Sequence, residues 1–330
     1  MRRRAVIALA GSAAVALPFA ARAQAKAMPV VGYLNGYSPE ERPTLLAAFK
    51  QSLSDAGFVE GRTVTIEYRW ARGQADRLAA LAADLAERRV DVMLACGGDA
   101  STRAAIAATK TVPIVFLVGE DPVVAGFVAS LGRPGGNVTG ITLLQLALQA
   151  KRVEMLHEMA PTATTIGFLA DAGEPEREAD NVAVVQASAQ KLGLRVRVLK
   201  ASGAGDLEAA FATMKAERIG ALLLSGLPIW GNVSVRGPLI ALAARYAIPT
   251  CYYDRDQAEA GGLMSYGTNV PAVYRQLGAY AARVLKGDRP ADLPVQQPTT
   301  FDLVINLNTA RSLGLTVPQS LLTRADDVLE

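Results

Sequence analysis

Side chains that carry metal or nucleophilic chemistry are scarce in this sequence of 330 residues. It contains one histidine, two cysteines and 6% aromatic residues. His157, Cys96 and Cys251 are too few to complete a familiar zinc-ligand set. A Ser-His-Asp arrangement would require His157 in a cleft, but this residue lies late in a predicted helix, where a solvent-facing role or a contact with the helix C-terminus is the default.

Glycine-rich segments are present, but they lack the signatures of nucleotide binding. Residues 132–136 have no Lys-Ser/Thr of a phosphate-binding loop, and residues 97–99 do not form a dinucleotide fingerprint. We therefore expect no cofactor. An enzyme that uses carboxylates alone stays open, although no spacing selects an acid–base pair from the candidates Asp99, Glu120, Asp171 and Asp254.

Long apolar runs are absent except at the N-terminus. Three arginines at positions 2–4 precede the apolar residues 5–21, and Ala-Arg-Ala follows at 21–23, which is the order of a cleavable secretory signal. We predict a signal peptide over residues 1–23 and a periplasmic protein. A retained membrane anchor is disfavoured because Pro18 interrupts a run of marginal length. The adjacent arginines leave twin-arginine export open.

Excess positive charge is also absent once this segment is set aside. The formal net charge is +3, but residues 1–23 hold four of the 34 basic side chains, and the remaining 30 face 31 acidic ones, a net charge of about −1. We therefore predict no nucleic-acid partner. For the two cysteines we expect buried thiols instead of a disulfide, since free cysteine is among the most buried residue types.

What the sequence does contain is an alternation of short apolar runs and helical patterns, which predicts parallel sheets. The first series runs from a strand at residues 30–34 and a helix at 42–56 to about Gly140. A second series then starts with a helix at 144–159 and a strand at 165–170. The length and this restart predict an α/β protein with two Rossmann-like lobes, each with a parallel sheet flanked by helices.

Later segments predict that the chain crosses between the lobes more than once. Residues 261–267 precede an amphipathic helix at 270–285, and a strand at 301–306 closes the pattern. We assign residues 29–142 and 266–298 to lobe 1, and residues 143–265 and 299–330 to lobe 2. Several crossings form a multi-strand hinge, and a hinge closes a cleft.

Several separated segments resemble a bacterial family of solute-binding proteins that serve ABC-type importers. The most specific is residues 121–140, and the others are residues 31–35, 61, 66–71, 151–154, 261–267, 292–298, 304–307 and 314–315. Their order and spacing cover nearly the whole mature chain. Gly132 and Val153 depart from the usual pattern in structural segments. The resemblance implies a type I periplasmic binding fold, a small-molecule ligand and a membrane permease as partner. Some relatives bind aromatic amino acids. We expect a monomer.

In the first lobe, candidate ligand-binding residues follow the predicted strands. Ser101 and Thr102, with Gly98 before them, could receive a ligand carboxylate at a helix start, or they could be an ordinary helix cap. Asn35 and Tyr37 could supply an amide and an aromatic wall, or form a helix entry. Asp121 follows another strand, where an Asx-type turn is the favoured interpretation.

In the second lobe, three loops are predicted to converge. Asp171, Ser225 with Trp230, and Asp254 follow successive strands, so that a carboxylate could hold a ligand ammonium and an aromatic ring could stack on the ligand. Alternatively, Trp230 is a partly buried loop anchor and Asp254 pairs with Arg255 on the surface. Tyr266 lies at the predicted crossing and could serve the hinge or the pocket.

The sequence therefore favours an exported solute receptor, and not an enzyme. Its lobes are expected to close over a small organic ligand, for which an amino acid and an aromatic carboxylate are the candidate classes. Two alternatives stay open. One is a ligand sensor that reports to a membrane receptor, and the other is a periplasmic hydrolase.

Overall fold

The chain is built on one parallel and one mostly parallel sheet. The structure is a computed structural model that describes residues 28–143 and 145–330. The predicted signal peptide lies outside these residues. Within the described residues, no helix is long and apolar enough to cross a membrane.

The first sheet has five parallel strands in the order β2-β1-β3-β4-β5. Its central strands are buried on both faces, as expected for a parallel sheet covered by helices. The strands are β1 (Val30–Asn35), β2 (Thr65–Trp70), β3 (Val92–Cys96), β4 (Ile114–Val118) and β5 (Val138–Thr142). The connecting helices are α1 (Pro43–Asp55), α2 (Leu78–Glu87) and α3 (Asp99–Ala108). We call the part of the molecule built on this sheet lobe 1.

The second sheet has seven strands in the order β12-β11-β10-β9-β8-β6-β7, and only the β10–β11 pairing is antiparallel. We call the part built on this sheet lobe 2. Its strands are β6 (Thr165–Asp171), β7 (Arg195–Ala201), β8 (Ala221–Leu224), β9 (Thr250–Tyr252), β10 (Met264–Thr268), β11 (Phe301–Asn306) and β12 (Asp327–Leu329). Its helices are α4 (Gln145–Met159), α5 (Pro175–Lys191), α6 (Ala204–Ala216), α7 (Val233–Arg245), α8 (Arg255–Glu259), α10 (Leu307–Ser312) and α11 (Gln319–Arg324).

The chain passes between the two sheets after β5, after β10 and before β11. After β10 it forms α9 (Val270–Leu285), whose apolar face joins α1 and β3 in the core of lobe 1. The return segment pairs with lobe 1 on its way, since the Gln296 N–H donates to the Gly140 carbonyl at 2.9 Å. These features confirm the predicted α/β fold of two lobes with parallel sheets flanked by helices.

Two sequence-based assignments need correction. The helical pattern of residues 238–246 predicts a helix that begins at Pro238, but α7 begins five residues earlier, at Val233, and contains Pro238 in its interior. Proline is more often found at the first helical position, so a proline at the edge of a helical pattern indicates a helix start. The helix predicted from Ser101 begins at Asp99, so Ser101 occupies its third position.

Both cysteines are buried free thiols, as predicted. Cys96 ends β3 in lobe 1, whereas Cys251 lies in β9 of lobe 2. Burial raises the pKa of each thiol from 9.0 to about 12.

Candidate functional site

A narrow cleft of about 70 Å³ lies between the two lobes. Lobe 1 contributes residues that follow the carboxyl ends of its strands, where open α/β sheets bind ligands. Lobe 2 contributes the loops after β8 and β9 and the first turns of α4 and α5. The polar and aromatic side chains that line the cleft are Tyr37, Arg42, Asp99, Gln145, Arg177, Tyr253, Asp254 and Tyr274.

Two ion pairs join the lobes across this cleft. Arg42 of lobe 1 donates from Nη1 to Oδ2 of Asp254 in lobe 2 at 2.7 Å. The second pair has the opposite polarity, because Asp99 of lobe 1 is paired with Arg177 of lobe 2. The Asp99 and Asp254 side chains are only 3% and 7% exposed, so solvent screens both pairs less than surface pairs. The cleft therefore has a cation and an anion from each lobe.

Asp99 is held by the start of α3. Gly98 precedes it with φ 117°, a conformation that favours glycine, and this residue forms the N-cap of the helix. The Gly119 N–H donates to Oδ1 of Asp99 at 2.8 Å, which leaves Oδ2 for Arg177. A Cβ atom at Gly98 would lie 3.5 Å from Cγ of Pro228, so the lobes already approach closely here.

Asp254 is held by the start of α8. Its Oδ1 accepts from the Asp256 N–H at 3.3 Å, and Gln257 accepts from the Asp254 N–H at 3.2 Å, which together form a capping box. The same carboxylate accepts from Arg42 through Oδ2. The alternative that Asp254 pairs with Arg255 is wrong, because Arg255 turns instead to Glu259 and Asp327.

Aromatic rings form much of the remaining wall. The Arg42 guanidinium lies over the ring of Tyr37, 4.9 Å from its centroid, in a cation–π contact. Tyr253 and Tyr274 also line the cleft, together with the apolar Leu45 and Val270. Burial raises the pKa of Tyr37, Tyr253 and Tyr274, so these phenols stay neutral at physiological pH.

A second cavity, of about 260 Å³, lies beside the cleft. The two share Gly119, Gln145, Arg177 and Gly226 as lining residues, so the Arg177 and Gln145 side chains separate them. At its outer end lies Val124, which is 86% exposed. The small cleft and this larger cavity are therefore neighbouring parts of one opening between the lobes.

Of the candidates proposed from the sequence, three line the cleft: Tyr37, Gly98 and Asp254. Asn35 lies one layer behind, where its Oδ1 accepts from the Tyr37 N–H at 2.9 Å and fixes that loop. Asp121 borders the second cavity and accepts from the Val123 N–H at 2.8 Å, the Asx-type turn that was favoured for it.

Ser101 and Thr102 are fully buried inside the first turns of α3 and do not line the cleft. Their hydroxyls have no hydrogen-bond partner within the described residues. A Cβ atom at Gly36 would lie 3.6 Å from Oγ of Ser101, so this hydroxyl faces the loop after β1. Because α3 begins two residues earlier than predicted, Asp99 takes the place at the cleft that was predicted for Ser101.

The other lobe 2 candidates lie outside the cleft lining. Trp230 is fully buried instead of partly buried, and its Nε1 donates to Oγ of Ser225 at 2.7 Å within the core of lobe 2. Asp171 accepts from the Gly173 N–H at 2.8 Å in the turn after β6. Tyr266 packs on Phe301 at the crossing, with ring centroids 6.3 Å apart.

Sequence reasoning missed three polar residues of the cleft: Arg42, Gln145 and Arg177. Each lies at the start of a helix that follows a strand, since Arg42 is the N-cap of α1, Gln145 begins α4 and Arg177 is the third residue of α5. The carboxyl-edge rule applied to whole strand–loop–helix units would have included all three.

Comparisons with known proteins agree with this architecture. Residues 40–329 match the sequence profile of the ABC transporter substrate binding protein family. A tyrosine-binding protein of Clostridioides difficile is 26% identical over 279 residues, which cover 83% of this chain and 79% of that protein.

Two solved structures are similar over nearly their whole length. A conserved domain protein from Vibrio cholerae has a TM-score of 0.82 at 26% identity, covering 91% of this chain and 99% of that one. An ABC domain in complex with L-Trp from Streptococcus pneumoniae has a TM-score of 0.82 at 24% identity, with 91% and 99% coverage.

Proposed function

We propose that this chain, which belongs to the ABC transporter substrate-binding protein family, binds an aromatic amino acid between its lobes and delivers it to an importer. The observation that carries the proposal is the pair of ion pairs of opposite polarity across an aromatic cleft. A zwitterion offers a carboxylate to an arginine and an ammonium to an aspartate, and aromatic walls suit an aromatic side chain. The tyrosine-binding relative supports the same class of ligand, and the L-Trp complex is an example of such a ligand bound by this fold.

The size of the cleft supports closure as part of the mechanism. An engineered cavity of about 150 Å³ holds benzene, so the 70 Å³ found here is too small for an aromatic amino acid. Entry therefore requires the lobes to part or the Gln145 and Arg177 side chains to move, which joins the cleft to the second cavity. The three passages of the chain between the lobes provide the hinge for this motion.

The contacts of the acidic groups in the cleft favour ligand binding over acid–base catalysis. Asp99 and Asp254 each form an ion pair with an arginine and accept from a backbone N–H, so both carboxylates are held in place. A general acid or base would need to exchange a proton with its substrate. The residues that would turn over a substrate are therefore engaged in holding the two lobes together.

We infer the location and the partner of the protein from its N-terminal sequence and its family. The sequence of residues 1–23 has the order of a secretory signal, and members of the family work with ABC permeases. We propose that the mature protein is a periplasmic monomer that presents its closed form to an inner-membrane permease. Deletion of the protein should then abolish uptake of its ligand, whereas a ligand sensor would leave uptake intact.

The direct test is thermal unfolding of the chain from Lys26 onward, refolded to remove any carried ligand. L-tyrosine and L-tryptophan should raise the Tm, because a ligand that binds only the native state stabilises it. Asp99→Asn should reduce the shift, while Asp206→Asn, on an exposed turn of lobe 2, should not. If no amino acid or other small carboxylate raises the Tm, the proposal is wrong.

A further inference from the structure

Arg152 is a buried cation without an acidic partner in the part of the chain that the structure describes. Its side chain is fully buried in α4, and it forms no ion pair within the described residues. Nε donates to the Tyr266 carbonyl and Nη2 to Oε1 of Gln145, each at 2.7 Å, while Nη1 has no hydrogen-bond partner among the residues that the structure describes. Asp254, an acidic side chain whose charge acts on Arg152, is already bonded to Arg42. A buried charge left without a counter-ion destabilises a fold, so its presence calls for an explanation.

Arg152 does not line the cleft itself, but it contacts two residues that do. Gln145, which accepts from Nη2, forms part of the wall that separates the two cavities. The Tyr253 ring, whose centroid is 6.0 Å from Cζ of Arg152, forms the wall on the lobe 2 side. Burial lowers the pKa of Arg152 to about 10, which still leaves it charged at pH 7. Its positive charge therefore acts on the cleft from one layer behind.

A second unsatisfied group lies at the same end of the cleft. The Tyr253 hydroxyl is buried and has no hydrogen-bond partner within residues 28–143 and 145–330. A Cβ atom at Gly231 would lie 2.8 Å from this hydroxyl and 2.6 Å from Nη2 of Arg42. Both distances are shorter than a real Cβ contact, so the Tyr253 hydroxyl and Nη2 of Arg42 converge on one point beside Gly231.

The other end of the cleft holds two carboxylates that are each paired with an arginine. Asp99 lies there, and Glu120 borders the adjoining cavity. Burial and the charge of Asp99 raise the pKa of Glu120. Arg103 and Arg177 offset these two carboxylates, but each is already in an ion pair. At the Tyr253 end Arg42 is paired as well, with Asp254, but two further donors, the Tyr253 hydroxyl and Nη1 of Arg152, have no partner within the described residues and could serve an anion.

We propose that Arg152 is a positioning residue that makes the cleft select a carboxylate, so that the ligand carboxylate lies at the Arg42–Tyr253 end and the ligand ammonium at Asp99. The carboxylate accepts from the Tyr253 hydroxyl and from Arg42, and it supplies the counter-charge that Arg152 lacks. This inference rests on the proposed function and assigns the orientation of an α-amino acid within it.

The test compares ligands that differ only in the carboxylate. Titration calorimetry would give the Kd of L-tyrosine and of tyramine for the wild-type chain, Arg152→Gln, Arg152→Lys and the control Arg197→Gln, with L-tryptophan and tryptamine as a second pair. Arg197 pairs with Glu217 on the surface of lobe 2, so its loss removes a cation away from the cleft.

We expect the wild-type chain to prefer each amino acid over its amine. In Arg152→Gln this preference should fall by about tenfold or more, as for the loss of a charged group that helps to bind a carboxylate, while the amine affinity changes little. Arg152→Lys should keep the preference even if both affinities drop, and Arg197→Gln should match the wild type. Gly231→Ala adds a Cβ that displaces the two proposed carboxylate donors, Arg42 and Tyr253, without changing charge, and it should weaken amino-acid binding more than amine binding.

If Arg152→Gln weakens the affinity for the amino acid and for the amine equally, Arg152 has only a structural role and the inference is overturned. If Arg152→Gln does not fold, loss of the preference in Arg152→Lys, or equal weakening of both ligands in Gly231→Ala, would overturn it as well. If the wild-type chain binds another solute but no α-amino acid, the receptor function stands and the orientation is wrong. If it binds no small solute, both fail.

Discussion

Asp254 serves two purposes at once, and substitutions can separate them. Asp254→Asn would still cap α8, because asparagine is as good an N-cap as aspartate, but its amide could not form an ion pair with Arg42. Asp254→Ala removes both interactions. We expect both variants to lose ligand affinity, and we expect Asp254→Ala to have a free energy of unfolding about 1 kcal/mol below that of Asp254→Asn. Urea unfolding measures the difference, and equal stabilities would show that the cap contributes nothing.

The two buried thiols predict how stability depends on pH. Their pKa in the folded chain is about 12, against 9.0 for an unperturbed thiol, so above pH 9 the unfolded chain releases protons that the folded chain keeps. The free energy of unfolding should therefore fall as pH rises, by about 1 kcal/mol per thiol between pH 9 and pH 10. Cys96→Ala should show about 1 kcal/mol less of this loss than the wild type. An unchanged pH dependence in Cys96→Ala would contradict the assignment.

For single residues, sequence reasoning predicted the loops of the site better than its side chains. Tyr37, Gly98 and Asp254 were expected at the cleft and line it. Trp230 was open to two interpretations, a ring that stacks on the ligand or a partly buried loop anchor, but it is fully buried and its indole N–H donates to Ser225 in the core. The carboxyl-edge rule would have placed Arg42 and Arg177 near the cleft, but the spacing along one chain does not encode which residues of the opposite lobe they meet.

Among the elements, β10 carries the closest backbone approach near the cleft. A Cβ atom at Gly267 would lie 1.9 Å from the Tyr253 carbonyl oxygen, a backbone atom that cannot move away alone. We expect Gly267→Ala to destabilise the chain by about 2 kcal/mol or more and to weaken ligand binding through Tyr253. The matched control is Gly205→Ala in α6, where a Cβ meets nothing within 4 Å and alanine should stabilise the helix by up to about 1 kcal/mol. Equal effects of the two substitutions in thermal unfolding would refute this interpretation of β10.

Periodicity predicted most elements because their apolar residues face a core. The predicted closing strand at residues 301–306 coincides with β11, and the helix at 270–285 coincides with α9. The errors lie where local chemistry is ambiguous. Pro238 is compatible with a helix start or with a tolerated interior position, and Ser101 is a favoured cap that the chain places at the third position of α3.

In the molecule as a unit, the ion pairs Arg42–Asp254 and Asp99–Arg177 hold the two lobes together. Arg42→Gln combined with Arg177→Gln should therefore open the ligand-free protein. Small-angle X-ray scattering should record a larger radius of gyration than for the wild type. The control, Arg197→Gln combined with Arg245→Gln, removes two arginines of surface pairs within lobe 2 and should leave the radius unchanged. If the cleft variant scatters like the control, these pairs do not hold the closed form.

Binding of an α-amino acid between the lobes is the function on which the other proposals depend. It is best measured by calorimetric titration of the refolded chain from Lys26 onward with L-tyrosine and L-tryptophan. We predict saturable binding of one molecule per chain, with affinity reduced in Arg42→Gln and retained in Arg197→Gln. Absence of binding by both amino acids, or binding that Arg42→Gln leaves unchanged, would contradict this function.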